Sequence, residues 1–261
     1  MDVLLTNDDG IDAEGIHALH DALSDLDGVD VTVVAPATDQ SAVGRALSRE
    51  VDVEPNDIGY AVHGTPTDCV VAAVGALDLD PDLVVAGCNR GANLGEYVLG
   101  RSGTVSAAVE AAFFGIPAIA VSLYVPVAED IAFSEVRPDN GAYDEAKRAT
   151  RYLVRTALDV GVFEEADYLN VNCPVPGDDP AEMTVTRPSH VYDMDAERDG
   201  DTVHITDRIW KRMSSGDITD PEGTDRRAVV EGRVSVSPLT APHTTEHHEA
   251  LDGLAAGFGD D

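Results

Sequence analysis

MDVLLTNDDGIDAEGIHALHDALSDLDGVDVTVVAP, residues 1–36, decides the fold. An apolar run at 3–6 predicts a short buried strand. Ile16, Leu19, Leu23 and Leu26 then recur at spacings of three and four, which predicts a helix over 14–26. The apolar, β-branched run VDVTVVA at 29–35 predicts a second strand, stopped by Pro36. Strand, helix, strand is the unit of a parallel sheet, because parallel neighbours need a crossover connection.

Working outward, the alternation continues. A polar loop, ATDQSAVGRALS, leads to short strands around 51–53 and 60–62. GTPTDCVVAAVGAL reads as a capped helix, with Thr65 as N-cap, Pro66 at the first helical position and Asp68 three residues after the cap. A strand at 83–86 ends in the loop GCNRGANLG. Ser102-Gly103-Thr104 opens the alanine-rich helix TVSAAVEAAFF, closed by Gly115 with Pro117 just beyond. A strand at 118–122, a helix around 142–160 and a strand at 168–171 complete the core. After Pro174 short β-like pieces at 183–186, 203–205 and 233–236 are joined by polar loops, with Trp210 among them, and 244–256 reads as a terminal helix. The expected architecture is a single α/β domain. Residues 1–174 form a Rossmann-like three-layer core with a mostly parallel sheet, and 175–261 form a β-rich arm ending in a helix.

Composition narrows the classes of function. The chain has 261 residues, 43% of them hydrophobic, enough for a buried core. No apolar run approaches the roughly 20 residues that span a bilayer. The N-terminus carries acidic residues where a signal peptide is basic. Cys69, Cys88 and Cys173 are widely spaced and lack a CxxC pair, so neither a disulfide framework nor a zinc site is indicated, and a reducing cytoplasm is expected. Forty-nine acidic against 17 basic residues give a net charge of −32, with Lys147 and Lys211 as the only lysines. Such a surface repels nucleic-acid polymers and anionic membranes. Its acidic residues are interspersed rather than blocked, as on a protein hydrated in concentrated salt, where the Debye length falls to about 3 Å at ~1 M.

Open α/β sheets bind ligands at the carboxyl ends of their strands. Asn7-Asp8-Asp9-Gly10, Ser41, Asn89 to Asn93, and Ser102 to Thr104 all fall there. Taken singly, each stretch has a plain explanation as a turn or helix cap. Together they have chemical content. Holding Asp8 and Asp9 ionised side by side is costly without a cation. Oxygen donors from Asp8, Asp9, Ser41 and Asn89 suit magnesium or manganese rather than zinc. The free amides at the start of the Ser102 helix, with the Ser102 and Thr104 hydroxyls and the small Gly103, suit a phosphate. A metal site and an anion pocket on one sheet edge make a phosphoryl-transfer site.

The stretches LLTNDDGIDAEGI, VTVVAP with its serine-containing loop, HGTPTDCV, PDLVVAGCNRGANLG, SGTVSAAVEAAFFGIPAIAVS and LNVNCP resemble, in order and spacing, the signatures of the SurE family of survival proteins. The resemblance runs from Met1 to about Pro174 and resumes at GTDRRAVVEGRVSVSPL. It implies a 5′/3′-nucleotidase acting on nucleoside monophosphates, with one divalent ion per subunit on Asp8, Asp9, Ser41 and Asn89. The substrate phosphate is expected near Asn93, Ser102, Gly103 and Thr104, and the resemblance also implies homo-oligomers, dimer or tetramer, that exchange C-terminal segments. Two stretches depart from the family pattern. ATDQS stands where relatives carry a more basic run, and GEYVLGRSGT is slightly longer and places Arg101 directly before Ser102.

A receiver domain also places paired acids after its first strand, but it needs an acceptor aspartate where Asn89 stands. Phosphatases that form an aspartyl-phosphate need DxD, and Asp8-Asp9 is adjacent. The remaining alternative is a non-catalytic nucleotide-binding module, which would bind without turnover and without metal. No residue stands out as a nucleophile: Cys88 reads as a small buried residue at a strand end, and His63 as structural. Direct attack by water, with Asp8 or Asp9 as proton acceptor, is the expected chemistry.

Overall fold

In the computed structural model, which describes residues 1–126 and 138–241, the opening stretch folds as its periodicities require. It gives β1 (Asp2–Thr6), α1 (Glu14–Ser24) and β2 (Asp30–Pro36). α1 buries Ile16, Leu19 and Leu23 completely, a contribution of about 1.5–3 kcal/mol for each side chain. The chain continues through β3 (Val53–Asn56), β4 (Gly59–Val62), α2 (Pro66–Gly75) and β5 (Leu83–Arg90). It then forms α3 (Glu96–Leu99), α4 (Gly103–Phe113), β6 (Ala118–Tyr124), α5 (Asp144–Thr156) and β7 (Tyr168–Pro174).

Among the described residues, nine strands form one sheet in the order β3-β4-β2-β1-β5-β6-β7-β11-β8, mostly parallel. The antiparallel pairs lie toward the margins, β3 with β4 and β7 with β11 (Val234–Leu239). Side chains alternate across the sheet as strand geometry demands. Val3 and Leu5 face a core shared with α1 and α5, whereas Leu4 faces one shared with α2 and α4. The result is the expected three-layer α/β/α arrangement.

α2 is held at its start by the predicted capping box. Thr65 Oγ1 accepts from the Asp68 amide at 3.2 Å, and Asp68 Oδ2 accepts from the Thr65 amide at 2.8 Å. Such a cap is worth about 1 kcal/mol. β3 lies slightly later than the 51–53 expectation and carries Pro55 on the sheet edge, where a missing ladder donor is tolerated.

Two further corrections bear on function. β5 does not stop at residue 86 but runs to Arg90, with a register shift against β6 between Ala86 and Asn89. Asn89 therefore sits on a strand end and not in a loop. Gly87 (φ 141) makes this path possible, because a Cβ there would collide with the Val121 carbonyl.

Beyond Pro174, β8 (Met183–Val185) and β11 return to the main sheet, and β9 (Met194–Asp199) pairs with β10 (Thr202–Asp207) as a separate hairpin. β9, α6 (Arg208–Ser215) and α7 (Asp225–Val230) were not anticipated. Ile209, Met213 and Val229 pack with Ala92, Leu94 and Tyr124, so α6 lies against the loop that follows β5. The expected helix at 244–256 lies outside the described residues. Among those residues, no helix is long and apolar enough to cross a membrane.

Candidate active site

From β1 the chain moves through β2 to β4 on one side of the sheet, then returns to β5 on the other side of β1. The connections leaving β1 and β5 diverge, and the crevice between them is where an open α/β sheet takes its ligand. A cavity of about 660 Å3 opens there, well inside the ~300–1,000 Å3 range of small-molecule sites. Asp8, Ser41, Asn89, Asn93 and Ser102 all line it. Five residues from four separate stretches of sequence thus line one cavity.

Asp8 is 3% exposed. Burial first, and the neighbouring Asp9 charge second, push its carboxyl up to about 7, although the hydroxyl and amide of Thr104 pull the other way. Asp9 is pushed up to about 6, chiefly by burial, against the Arg90 amide, which donates to Asp9 Oδ2 at 2.7 Å. Asp9 itself does not line the cavity wall. Asn7 Nδ2 closes the turn by donating to the Gly10 carbonyl at 2.7 Å.

Ser41 is brought to Asp8 by the backbone. The Gln40 amide donates to the Asp8 carbonyl at 2.7 Å, and the Ser41 amide donates to Asp39 Oδ1 at 2.7 Å. Asn89 Nδ2 donates to the Gly91 carbonyl at 2.5 Å, so its amide oxygen is the atom that could serve a cation. Asn93 is clamped on all sides. Its amide donates to Asn172 Oδ1, its carbonyl accepts from Asn170 and Asn172, and its Nδ2 donates to Ser122 Oγ at 2.9 Å. Among the described residues, no group of three or more His, Cys, Asp or Glu side chains could hold a metal. The set here is two carboxylates with two neutral oxygens.

Ser102 caps α4, its Oγ accepting from the Val105 amide at 3.1 Å. Thr104 is fully buried and donates to Asp8 Oδ1 at 2.5 Å, so its hydroxyl meets the site through that carboxylate and not at the cavity surface. Gly103 serves a packing need as well. A Cβ there would come within 2.8 Å of Asp8 Cβ and 2.9 Å of Asp8 Oδ2. The start of α4 can press against Asp8 only because residue 103 has no side chain. Cys88 is fully buried and its thiol is raised well above its ordinary value by burial, which removes it as a nucleophile. His63 is half-exposed beside Glu54, away from the cavity.

The sequence reading missed part of the cavity lining: Val98, Tyr124, Trp210, Lys211 and Ser214. Trp210 and Ser214 come from α6. The available signals were the Asp207 cap, the Ile209–Met213 spacing and Gly216 (φ 73) just past the helix end.

The family model described as survival protein SurE matches residues 3–194. Two curated relatives from halophilic archaea, both named 5′-nucleotidase SurE, align over nearly the whole chain. That of Haloarcula marismortui is 65% identical, covering 99% of this chain and 96% of its own length. That of Natronomonas pharaonis is 68% identical, covering 99% of this chain and all of its own. The crystal structure of the SurE protein from Aquifex aeolicus superposes with a TM-score of 0.76 at 32% identity, covering the full length of both chains. On motif order, sheet topology and these alignments, the chain belongs to the survival protein SurE family.

Proposed function

We propose that this protein is a 5′-nucleotidase that hydrolyses nucleoside 5′-monophosphates to nucleoside and phosphate, with one magnesium or manganese ion per subunit held by Asp8, Asp9, Ser41 and Asn89. One observation carries the reading. Two adjacent carboxylates, Asp8 buried and Asp9 partly buried, sit at the sheet's switch point and are raised to about 7 and 6, beside a helix start whose cap, Ser102, lines the same cavity as Asp8. Burial opposes their charge, and a hard cation would restore it, so the donor set fits such an ion. The relatives named 5′-nucleotidase SurE support the same activity.

A bound cation supplies Lewis-acid polarisation of the phosphoryl group and makes an attacking water more acidic. The protein's own groups do the rest. The N-terminus of α4 turns its positive dipole end toward the phosphate, although the Val105 amide is taken by Ser102 Oγ and the Thr104 amide by Asp8. Asp8 lines the cavity, whereas the Arg90 amide holds Asp9 back, so we assign Asp8 to accept the proton of the attacking water. The phosphorus–oxygen ester bond breaks as the water oxygen bonds to phosphorus, and the departing ribose oxygen takes a proton from solvent. The Asn170–Asn172–Ser122 clamp fixes Asn93, and with it the loop that carries the substrate wall.

Nucleoside 3′-monophosphates are a second substrate class for the same site. A homo-oligomer, dimer or tetramer, is supported by Val203 and Ile205, which are 55% and 72% exposed on the β9–β10 hairpin. Three free buried cysteines suit a reducing cytoplasm. The test is a panel of 5′- and 3′-monophosphates assayed with magnesium or manganese in molar potassium chloride. Release of phosphate and nucleoside from 5′-monophosphates is expected, and binding without turnover would instead establish a non-catalytic nucleotide-binding module.

A further inference from the structure

The cavity lining mixes two kinds of surface: polar Asp8, Asn89 and Ser102, and apolar Val98, Tyr124 and Trp210. The polar groups account for a phosphate and a cation and need nothing from the apolar ones. On a chain with net charge −32, a partly exposed tryptophan in the wall of a concave site is an unusual expenditure of apolar surface.

Trp210 is set in place by structure that does not depend on a ligand. Ile209 and Met213 are each 2% exposed and anchor α6 on Ala92, Leu94 and Tyr124. Residues four apart share a helix face, so the next stripe, Trp210 and Ser214, is the one turned toward the cavity. Asp207 fixes the helix start twice. Its Oδ1 accepts from the Ile209 amide at 3.1 Å, and its Oδ2 accepts from the Tyr97 hydroxyl at 2.6 Å. Tyr97 belongs to α3, directly before α4, so the start of α6 is tied to the segment that leads into Ser102.

We propose that Trp210, backed by Val98 and Tyr124, is the nucleobase platform of this site and the residue that distinguishes nucleotides from other phosphomonoesters. The assignment rests on the nucleotidase reading above. An aromatic side chain on an anchored helix, lining the same cavity as Asp8 and Ser102, suits a flat heteroaromatic ring, and it tolerates any base because every base has a π-face. Selection would favour nucleoside monophosphates over sugar phosphates without choosing strongly between purine and pyrimidine.

Trp210 is the chain's one tryptophan, so its fluorescence reports on the wall directly, independent of turnover. In molar potassium chloride with magnesium, adenosine 5′-monophosphate is expected to quench that emission, and ribose 5-phosphate and inorganic phosphate are not. In parallel, the ratio of kcat/KM for adenosine 5′-monophosphate to that for ribose 5-phosphate is expected to fall at least about fivefold in Trp210→Ala. In Trp210→Phe it should stay closer to the parent. Equal quenching by ribose 5-phosphate, or an unchanged ratio in a folded Trp210→Ala protein that still hydrolyses both, would overturn the platform and leave the nucleotidase reading intact. Were the parent to hydrolyse neither ester, that reading would fall, and base-specific quenching alone would decide whether the wall binds nucleobases.

Discussion

Thr104 Oγ1 donates a 2.5 Å hydrogen bond to Asp8 Oδ1 across 96 residues of sequence, joining the first turn of α4 to the end of β1. The start of α4 and the Asp8 carboxylate are thereby one unit. The bond also opposes the burial that raises Asp8. Thr104→Val keeps the shape and removes the donor, so Asp8 should ionise at higher pH. The acidic limb of the kcat/KM profile is expected to move to higher pH, and half-saturating magnesium at neutral pH to rise about tenfold or more, the scale of a charge-assisted bond. An unmoved limb would separate Thr104 from the site.

The raised carboxyl has a second consequence, in the metal-stripped protein. Folded Asp8 holds its proton to about 7, against 3.8 for the ordinary group. Its contribution to stability is fully present below about 4 and is lost as pH rises through 7. Asp8→Asn escapes that loss. Melting curves with chelator in molar salt should therefore show Asp8→Asn more stable than the parent at pH 8, with the gap closing at pH 5. A gap of constant size would contradict the linkage.

Gly103 offers the sharpest steric test. With Asp8 Cβ and Oδ2 at 2.8 and 2.9 Å from the position of an added Cβ, Gly103→Ala must displace the carboxylate or the helix start. A misplacement of about 1 Å can cost on the order of 10²-fold in rate, and a loss of that order in kcat is expected while circular dichroism stays that of the parent. Ser102→Ala is milder, removing an N-cap worth about 1 kcal/mol, read as a lower melting temperature and weaker inhibition by inorganic phosphate.

Net charge −32 joins stability to substrate capture. Self-repulsion destabilises the compact state, and the same field opposes an approaching nucleotide until screening shortens its reach to about 3 Å at ~1 M salt. Within that reach Arg90 and Arg101, both lining the cavity, would act on a nucleotide phosphate. KM for a nucleoside monophosphate should rise as potassium chloride is lowered, before unfolding, with kcat changing less. A flat or falling KM in folded protein would leave the acidity a matter of hydration alone.

Much of this arrangement was legible because it is local. The 3.6-residue pattern in α1, the Thr65–Asp68 box and the Asp8-Asp9 pair after a strand are each readable within a few residues. What escaped was non-local. α6 has only Ile209 and Met213 as an apolar stripe, and it is helical where it is because Ala92, Leu94 and Tyr124 wait across the fold. β5 was cut short because Gly87 reads as a loop residue, yet that glycine lets the strand pass Val121 and bring Asn89 into place. The Thr104 hydroxyl looked like a phosphate ligand by its place in a helix start, and no local pattern could name Asp8 as its partner.

The reading turns most directly on a cation titration of metal-stripped protein in molar potassium chloride, with nucleoside 5′-monophosphate hydrolysis as the readout. Turnover should be absent with chelator and rise with added manganese to a plateau near one ion per subunit. Asp8→Asn and Asp9→Asn should remain at least about 10²-fold below the parent in kcat at every concentration. Full turnover before any metal is added, or near-parental activity in both variants, would contradict the assignment of Asp8 and Asp9 as the centre of the site.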